Sequence, residues 1–276
     1  MRLTFCGTAA GVAINPDRAF SGIYLTHEDA SLLVDCGPGS VIEIVRQGLD
    51  HTSIEGVVFS HLHGDHAMDI AVLLLEKVTR SGSAPVIYGP EGTAEYMAAA
   101  VAFTKVQLPP KDTKRRDLLD GTQVEITRPG DEREIAGLAV RSVEVPHAAH
   151  LECLARRFDG GDRSLVYSGD TTVAPEIMTP LSEGANVLIH EAYSERALAA
   201  FVATKREAIR DRIVEAFAAT HTVLPEAAKI AQAAGVDRLV VTHLLAEEDE
   251  ASMVREAGEF FGGEVLVAKE GMQIEV

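Results

Sequence analysis

Ser60-His61-Leu62-His63-Gly64-Asp65-His66 follows directly on the apolar run Val57-Val58-Phe59. Three imidazoles and a carboxylate fall between positions 61 and 66. These are the side chains that suit zinc and similar divalent ions. A strand that ends in a tight loop can aim several such groups at one point. The stretch therefore reads as a strand end followed by a metal-binding loop.

Three further residues share that design. His147 follows the strand-like 141–145 and Pro146, Asp170 follows Leu165-Val166-Tyr167-Ser168-Gly169, and His243 follows Leu239-Val240-Val241-Thr242. Strand ends along one sheet edge converge in space, so ligands far apart in sequence can meet. His150 lies three positions after His147 and is a competing candidate.

The surrounding pattern alternates short apolar runs with turn residues, which predicts strands at 2–6, 22–26, 31–35 and 56–60. Helices are expected at 41–47, 67–79 and 93–102, the second starting straight after the ligand loop. The later part repeats the texture, with strands expected at 123–127, 138–145, 164–168, 187–190, 238–242 and 264–267. A helix is expected at 225–234, with Pro225 early, where its missing N–H costs nothing. Within 195–219, Leu198, Phe201, Val202, Ile209, Ile213, Val214 and Phe217 recur at roughly helical spacing. That segment reads as one or two amphipathic helices. No linker or short-period repeat divides the chain, so a single layered α/β domain over 1–276 is expected, with a helical insertion at about 195–219.

The 276 residues are 46% apolar, which is ample for a core. No run approaches the ~20 apolar residues of a spanning helix, so no membrane partner is expected. The start, Met1-Arg2-Leu3-Thr4-Phe5-Cys6-Gly7-Thr8, reads as a first strand rather than a signal peptide. Cys6, Cys36 and Cys153 are too few and too irregularly spaced for a disulfide framework. Small buried thiols fit a cytoplasmic location. The formal net charge of −17 argues against a long polyanion, so no nucleic-acid partner is expected. One local reversal, Lys111-Asp112-Thr113-Lys114-Arg115-Arg116, reads as a loop, either a solvated one or a rim that attracts an anionic substrate.

The His-x-His-x-Asp-His run at 61–66 resembles the metallo-β-lactamase-fold hydrolases. The ordered set is similar to the ribonuclease Z, arylsulfatase and phosphodiesterase branch. It comprises Phe5-Cys6-Gly7-Thr8-Ala9-Ala10-Gly11, Leu33-Val34-Asp35-Cys36-Gly37, Ser168-Gly169-Asp170-Thr171, His190-Glu191-Ala192, His221-Thr222 and Val241-Thr242-His243. It runs from residue 5 to 243, and independent accidents would have to fall in that order. Ala155-Arg156-Arg157-Phe158 stands where relatives carry a Gly-Tyr-Arg-like segment, with Ala155 for Gly and Arg156 for Tyr. The spacing to this segment, with the strand-end position, favours His147 over His150.

The resemblance implies an αββα sandwich of two mixed sheets flanked by helices, and two divalent ions, zinc first, with manganese or iron as alternatives. His61, His63 and His147 would hold one ion, and Asp65, His66 and His243 the other. Asp170 would bridge them, with a hydroxide between as nucleophile. Asp65 carries over as catalytic as well as ligating, and Glu191 with His221 as a proton-transfer pair. The reading of that pair without the resemblance is a support that orients ligands. His190 is expected to be structural, and His27 and His51 to lie at the surface.

Relatives with a tRNA-clamping arm insert it between the positions matching His147 and Asp170. Here that interval is filled by a turn and a strand. The expected activity is therefore hydrolysis of a small anionic ester, a phosphodiester or a sulfate ester, with no tRNA partner. A lactonase or β-lactamase would use the same nucleophile on a carbonyl. A non-catalytic metal-binding protein is the alternative of a different class. Oxygen-reducing di-iron relatives carry Glu where this chain has His63, and append a flavin domain, so that class is set aside. The 195–219 segment is read either as a cap over the site or as a homodimer contact.

Overall fold

The computed structural model describes residues 1–11, 14–104, 108–111, 114–116 and 118–276, with backbone alone for 108–111 and 114–116. Strands β1 (Arg2–Gly7), β2 (Gly22–His27) and β3 (Ala30–Val34) form an antiparallel meander. Strands β4 (Ile54–Val58) and β5 (Val86–Gly89) continue the sheet in parallel. A separate antiparallel pair, β6 (Leu108–Lys111) and β7 (Lys114–Arg116), precedes β8 (Val124–Ile126), which closes the parallel side. The second sheet repeats this plan. Strands β9 (Glu132–Ile135), β10 (Leu138–Glu144), β11 (Leu154–Gly160) and β12 (Arg163–Tyr167) are antiparallel. Strands β13 (Val187–Glu191), β14 (Arg238–Thr242) and β15 (Glu264–Val267) then run parallel to β12. The final strand, β16 (Gln273–Glu275), returns to the first sheet beside β1. Each sheet has seven strands.

Side-chain alternation explains the layering. In β10, Leu138 and Val140 face inward while Ala139 and Arg141 are exposed, the pattern of a strand with one buried face. All of β13 is buried, as expected for a parallel strand covered on both faces. Leu3, Phe5, Leu25, Val58, Phe158, Leu165, Ile189 and Val240 fill the space between the sheets. The outer face of the first sheet packs on α1 (Ser40–Arg46), on α2 (Gly64–Ala67) with α3 (Ile70–Ser81), and on α4 (Thr93–Thr104). The outer face of the second packs on α5 (Pro175–Ser182). Helices α6 (Glu195–Ala203) and α7 (Arg210–Thr220) form a smaller apolar unit of their own. Helices α8 (Leu224–Ala234) and α9 (Glu250–Gly258) complete the second outer layer. The result is the expected αββα sandwich.

Three local expectations change. The single helix at 67–79 is two helices, broken at Asp69. Its Oδ2 accepts from the Gly39 and Val41 amides, at 2.8 and 3.4 Å, at the start of α1. A carboxylate there meets amides that the helix itself cannot satisfy. The interval from His147 to Asp170 holds two strands rather than one, because the Arg-rich run pairs over 154–159 with β10 and over 156–160 with β12. The basic stretch read as a loop has the strand pair β6–β7 as its described backbone. Asp112, Thr113 and the side chains of 108–111 and 114–116 lie outside the described residues, and so does the rim role. Among the described residues no helix is long and apolar enough to cross a membrane.

Candidate metal centre

The loop 60–66 leaves β4 tied down on several sides. The Ser60 amide donates to Asp35 Oδ1 at 2.7 Å, and its hydroxyl to Asp35 Oδ2 at 2.8 Å. The Ser60 carbonyl accepts from the Leu154 amide of β11. The Cys36 amide donates to the His66 carbonyl at 2.6 Å. Two glycines permit this closeness. A Cβ on Gly37 would lie 1.9 Å from the Asp65 carbonyl oxygen, and one on Gly11 would lie 2.4 Å from Asp65 Oδ2. Any larger residue at either position would displace Asp65.

The ends of β10, β12 and β14 bring the remaining groups to this loop. His61 Nε2 lies 3.0 Å from His63 Nδ1, and His147 Nε2 lies 3.2 Å from the same atom. His61 and His147 approach Asp170 Oδ2 at 3.9 and 3.7 Å. On the other side, His243 Nε2 is 3.2 Å from Asp65 Oδ2 and 3.3 Å from Asp170 Oδ2. His66 Nε2 is 3.5 Å from Asp65 Oδ2 and 3.3 Å from Asp170 Oδ1. Two groups of candidate ligand atoms, His61–His63–His147 and Asp65–His66–His243, both include Asp170, and a third, Glu191–His221–His243, shares His243 with the second. His150 lines the cavity above but belongs to none of them, its ring centroid 6.0 Å from that of His63.

Several features fit a bound cation. Three ring nitrogens of one group face each other, although a neutral imidazole offers a lone pair on one nitrogen only and a proton on the other. Asp170 Oδ1 is buried and makes no hydrogen bond, with His66 Nε2 at 3.3 Å as an ion-pair contact. The outward nitrogens are fixed from behind. His61 Nδ1 meets Ser60 Oγ at 3.0 Å, His66 Nδ1 meets Asp35 Oδ2 at 2.7 Å, and His147 Nδ1 donates to the Thr220 carbonyl at 2.7 Å. Such contacts select which nitrogen is left to ligate. Two non-glycine residues here, Asp35 and His243, hold φ of +58°, a conformation that costs about 1–3 kcal/mol and is met at functional sites.

The two groups differ in charge. Burial, with His66 next, holds His61 well below the usual imidazole range, and burial with His147 lowers His63. Burial also opposes charge on His66, but Asp170, Asp35 and Asp65 together raise it well above that range. Asp170 and Asp65 stay ionised despite burial, Asp170 chiefly through His243 and His66, and Asp65 chiefly through His66 and His243.

Beside them, Glu191 Oε1 accepts from the Thr171 amide at 3.0 Å and pairs with His221 Nδ1 at 3.0 Å. Burial resists protonation of His221, but Glu191 raises it to about 9. His190 points elsewhere. It is buried, its Nδ1 donates to the Glu191 carbonyl at 2.6 Å, and its Nε2 lacks a hydrogen-bond partner. His51 is not at the open surface as expected. It is largely buried beside Glu76, and His27 is half-buried. A cavity of about 580 Å³ opens above the two groups, and His63, Asp65, His147, Asp170, His221 and His243 all reach it.

Asp35 and Arg156 escaped the reading of the sequence as parts of this site. Asp35 is fully buried and also accepts from Tyr167 Oη at 2.8 Å, so it ties His66 to both sheets. Its place in the Leu33–Gly37 run was the available signal. Arg156 is fully buried and donates to the Phe59 carbonyl and to Thr127 Oγ1, both at 2.8 Å, and to Ser142 Oγ. Burial lowers its guanidinium to about 10, so it stays charged at neutral pH. The signal was the departure from the Gly-Tyr-Arg-like segment. The thiols of Cys6, Cys36 and Cys153 are free and buried.

Comparison with known proteins places this geometry among relatives. The model of the beta-lactamase superfamily domain matches residues 31–244. A ribonuclease Z of Mycobacterium sp. (strain KMS) is 29% identical over 252 residues, covering 89% of this chain and 84% of the relative. The structure of YhfI, a metallo-beta-lactamase fold protein from Bacillus subtilis, superposes with a TM-score of 0.77 at 26% identity, covering 100% of this chain and 99% of that one. Human tRNase Z, short form, superposes with a TM-score of 0.71 at 23% identity, covering 100% and 99%. These relatives overturn the expectation that nucleic acid is not a partner, because the curated ones are ribonucleases by name. Net charge was the wrong guide. It averages the whole surface and leaves out bound cations, whereas a phosphate responds to the field where it binds.

Proposed function

This chain belongs to the beta-lactamase superfamily, a superfamily of metal-dependent hydrolases, and from that premise we propose that it is a phosphodiesterase acting on nucleic-acid phosphodiester bonds. The observation that carries the reading is the convergence of seven ligand-type side chains, five of which line one cavity, with the Glu191–His221 pair beside them. The ribonuclease names of the relatives favour a phosphodiester over a sulfate ester or a lactone.

We assign His61, His63 and His147 to one zinc ion, Asp65, His66 and His243 to a second, and Asp170 to both. Bound there, the two cations would supply an activated water and stabilise charge on the phosphoryl oxygens. The residues of the chain do the rest. Ser60, Asp35 and the Thr220 carbonyl hold the ligating rings in direction. Asp65, at the cavity wall, takes the proton that the attacking water gives up. A bond forms from the water oxygen to phosphorus as the bond from phosphorus to the leaving oxygen breaks. His221, held through Nδ1 by Glu191, gives its Nε2 proton to that leaving oxygen. The products are an alcohol and a phosphomonoester, and the proton on Asp65 then restores His221 through solvent.

The test is a screen of zinc-loaded protein on bis(p-nitrophenyl) phosphate, a short RNA with a 3′ extension, p-nitrophenyl sulfate and a lactone. Turnover of both phosphodiesters supports the proposal. Turnover of the lactone or the sulfate with neither phosphodiester cleaved overturns it.

A further inference from the structure

The ends of α7 and of its loop reach into the site, which gives the segment 195–219 contacts beyond those of a cap or a dimer face. Phe217 lies in the last turn of α7 and is buried. Its ring centroid is 5.1 Å from that of His221, with 38° between the planes. Tyr193 meets Phe217 edge-on at 5.6 Å, and Phe201 of α6 lies 6.1 Å from it. Ala197, Leu198, Val202 and Leu245 complete this apolar cluster. His221 also stacks on His243, at 5.4 Å and 25°.

These contacts supply something the Glu191 bond cannot. The bond from His221 Nδ1 to Glu191 fixes one point of the ring. Rotation about that point would still swing Nε2, on the far edge of a ring that lines the cavity. A ring packed between aromatic neighbours loses that freedom. The same turn places the Thr220 carbonyl on His147 Nδ1, so its register is tied to the ligand set as well. We propose that Phe217 is a positioning residue that aims His221 Nε2 at the leaving oxygen. Through it the α6–α7 unit governs how well the enzyme expels leaving groups that need a proton. This rests on the reading of His221 as the proton donor.

Two phosphodiesters separate this role from a general structural one. A dinucleotide leaves as an alkoxide that needs a proton, whereas bis(p-nitrophenyl) phosphate leaves as a stable phenolate. For zinc-loaded Phe217→Leu with metal content unchanged, kcat on the dinucleotide should fall about tenfold with KM little changed, as misplacement of a reacting group predicts. The fall on bis(p-nitrophenyl) phosphate should be several times smaller, and Phe217→Tyr, which keeps the ring, should restore the ratio. Should Phe217→Leu fail to fold, Phe217→Met carries the same comparison. Equal losses on both substrates, or no loss on either, overturn the proposal. His221→Ala tells the two levels apart. If it too lowers both substrates equally, the proton-donor reading fails. If it discriminates and the Phe217 variants do not, only the positioning role falls.

Discussion

The group of His61, His63 and His147 and the group of Asp65, His66 and His243 share Asp170 but differ in the charge their histidines carry without a cation. The first is built of imidazoles whose neighbours and burial keep His61 and His63 neutral. In the second, His66 is held protonated among Asp35, Asp65 and Asp170. A cation entering the first displaces no proton from His61 or His63. A cation entering the second must replace a proton that is already stabilised there. The two candidate groups thus differ in whether a positive charge is already held on a histidine.

The bridging residue sets the largest expected effect. Asp170→Asn keeps the shape but removes the charge that both groups share. Phosphodiester turnover should fall about 10³–10⁴-fold, and metal content should drop at both positions together. Loss of one ion with the other fully retained would show that the groups are independent.

Removing one histidine from each group sharpens the contrast. In chelator-treated protein, His66→Ala strips Asp35, which is fully buried, of its cationic partner. The expected cost is roughly 3 kcal/mol, because a buried charge left without its partner is the expensive case. His63 is only partly buried and adds no charge, so His63→Ala should change stability by less than about 1 kcal/mol. Denaturant unfolding of both variants measures this. Equal losses would mean that His66 contributes through packing rather than charge.

The difference between the groups also marks where the sequence was legible. The loop 60–66 stands out as a candidate metal site because four ligand-type residues crowd into one strand end. Asp170 and His243 followed the same design of an apolar strand ending in a ligand. β14 and β15 were bounded correctly from their apolar runs. What stayed hidden was support that works across the fold. Asp35 reaches His66 and Tyr167 from another strand, and its left-handed backbone leaves no mark in the sequence. β11 was missed because Arg156 and Arg157 break the apolar pattern, although Arg156 is buried between the sheets. The sharing of Glu191 between the Thr171 amide and His221 depends on β12 and β13 lying side by side, which no local pattern states.

Proton release gives the smallest effect and the most direct reading of the contrast. His66 Nδ1 is held by Asp35, so the proton that a second cation displaces is the one on Nε2. Its folded pKa lies above the ordinary imidazole value. In chelator-treated protein the stability this proton brings is complete below about pH 6.5 and is lost as pH rises through the raised value. Metal affinity must run the other way. Below that raised value, affinity at the Asp65–His66–His243 group should climb about tenfold per pH unit, one proton leaving for each cation bound. Above it the slope should vanish. At the His61–His63–His147 group, where His61 and His63 are lowered, affinity should be nearly flat from pH 7 upward. Calorimetric zinc titrations in buffers of different ionisation enthalpy count the protons at each step. One step releasing close to one proton and the other close to none is the expected result. Equal release at both steps would show that the carboxylates around His66 do not separate the two groups.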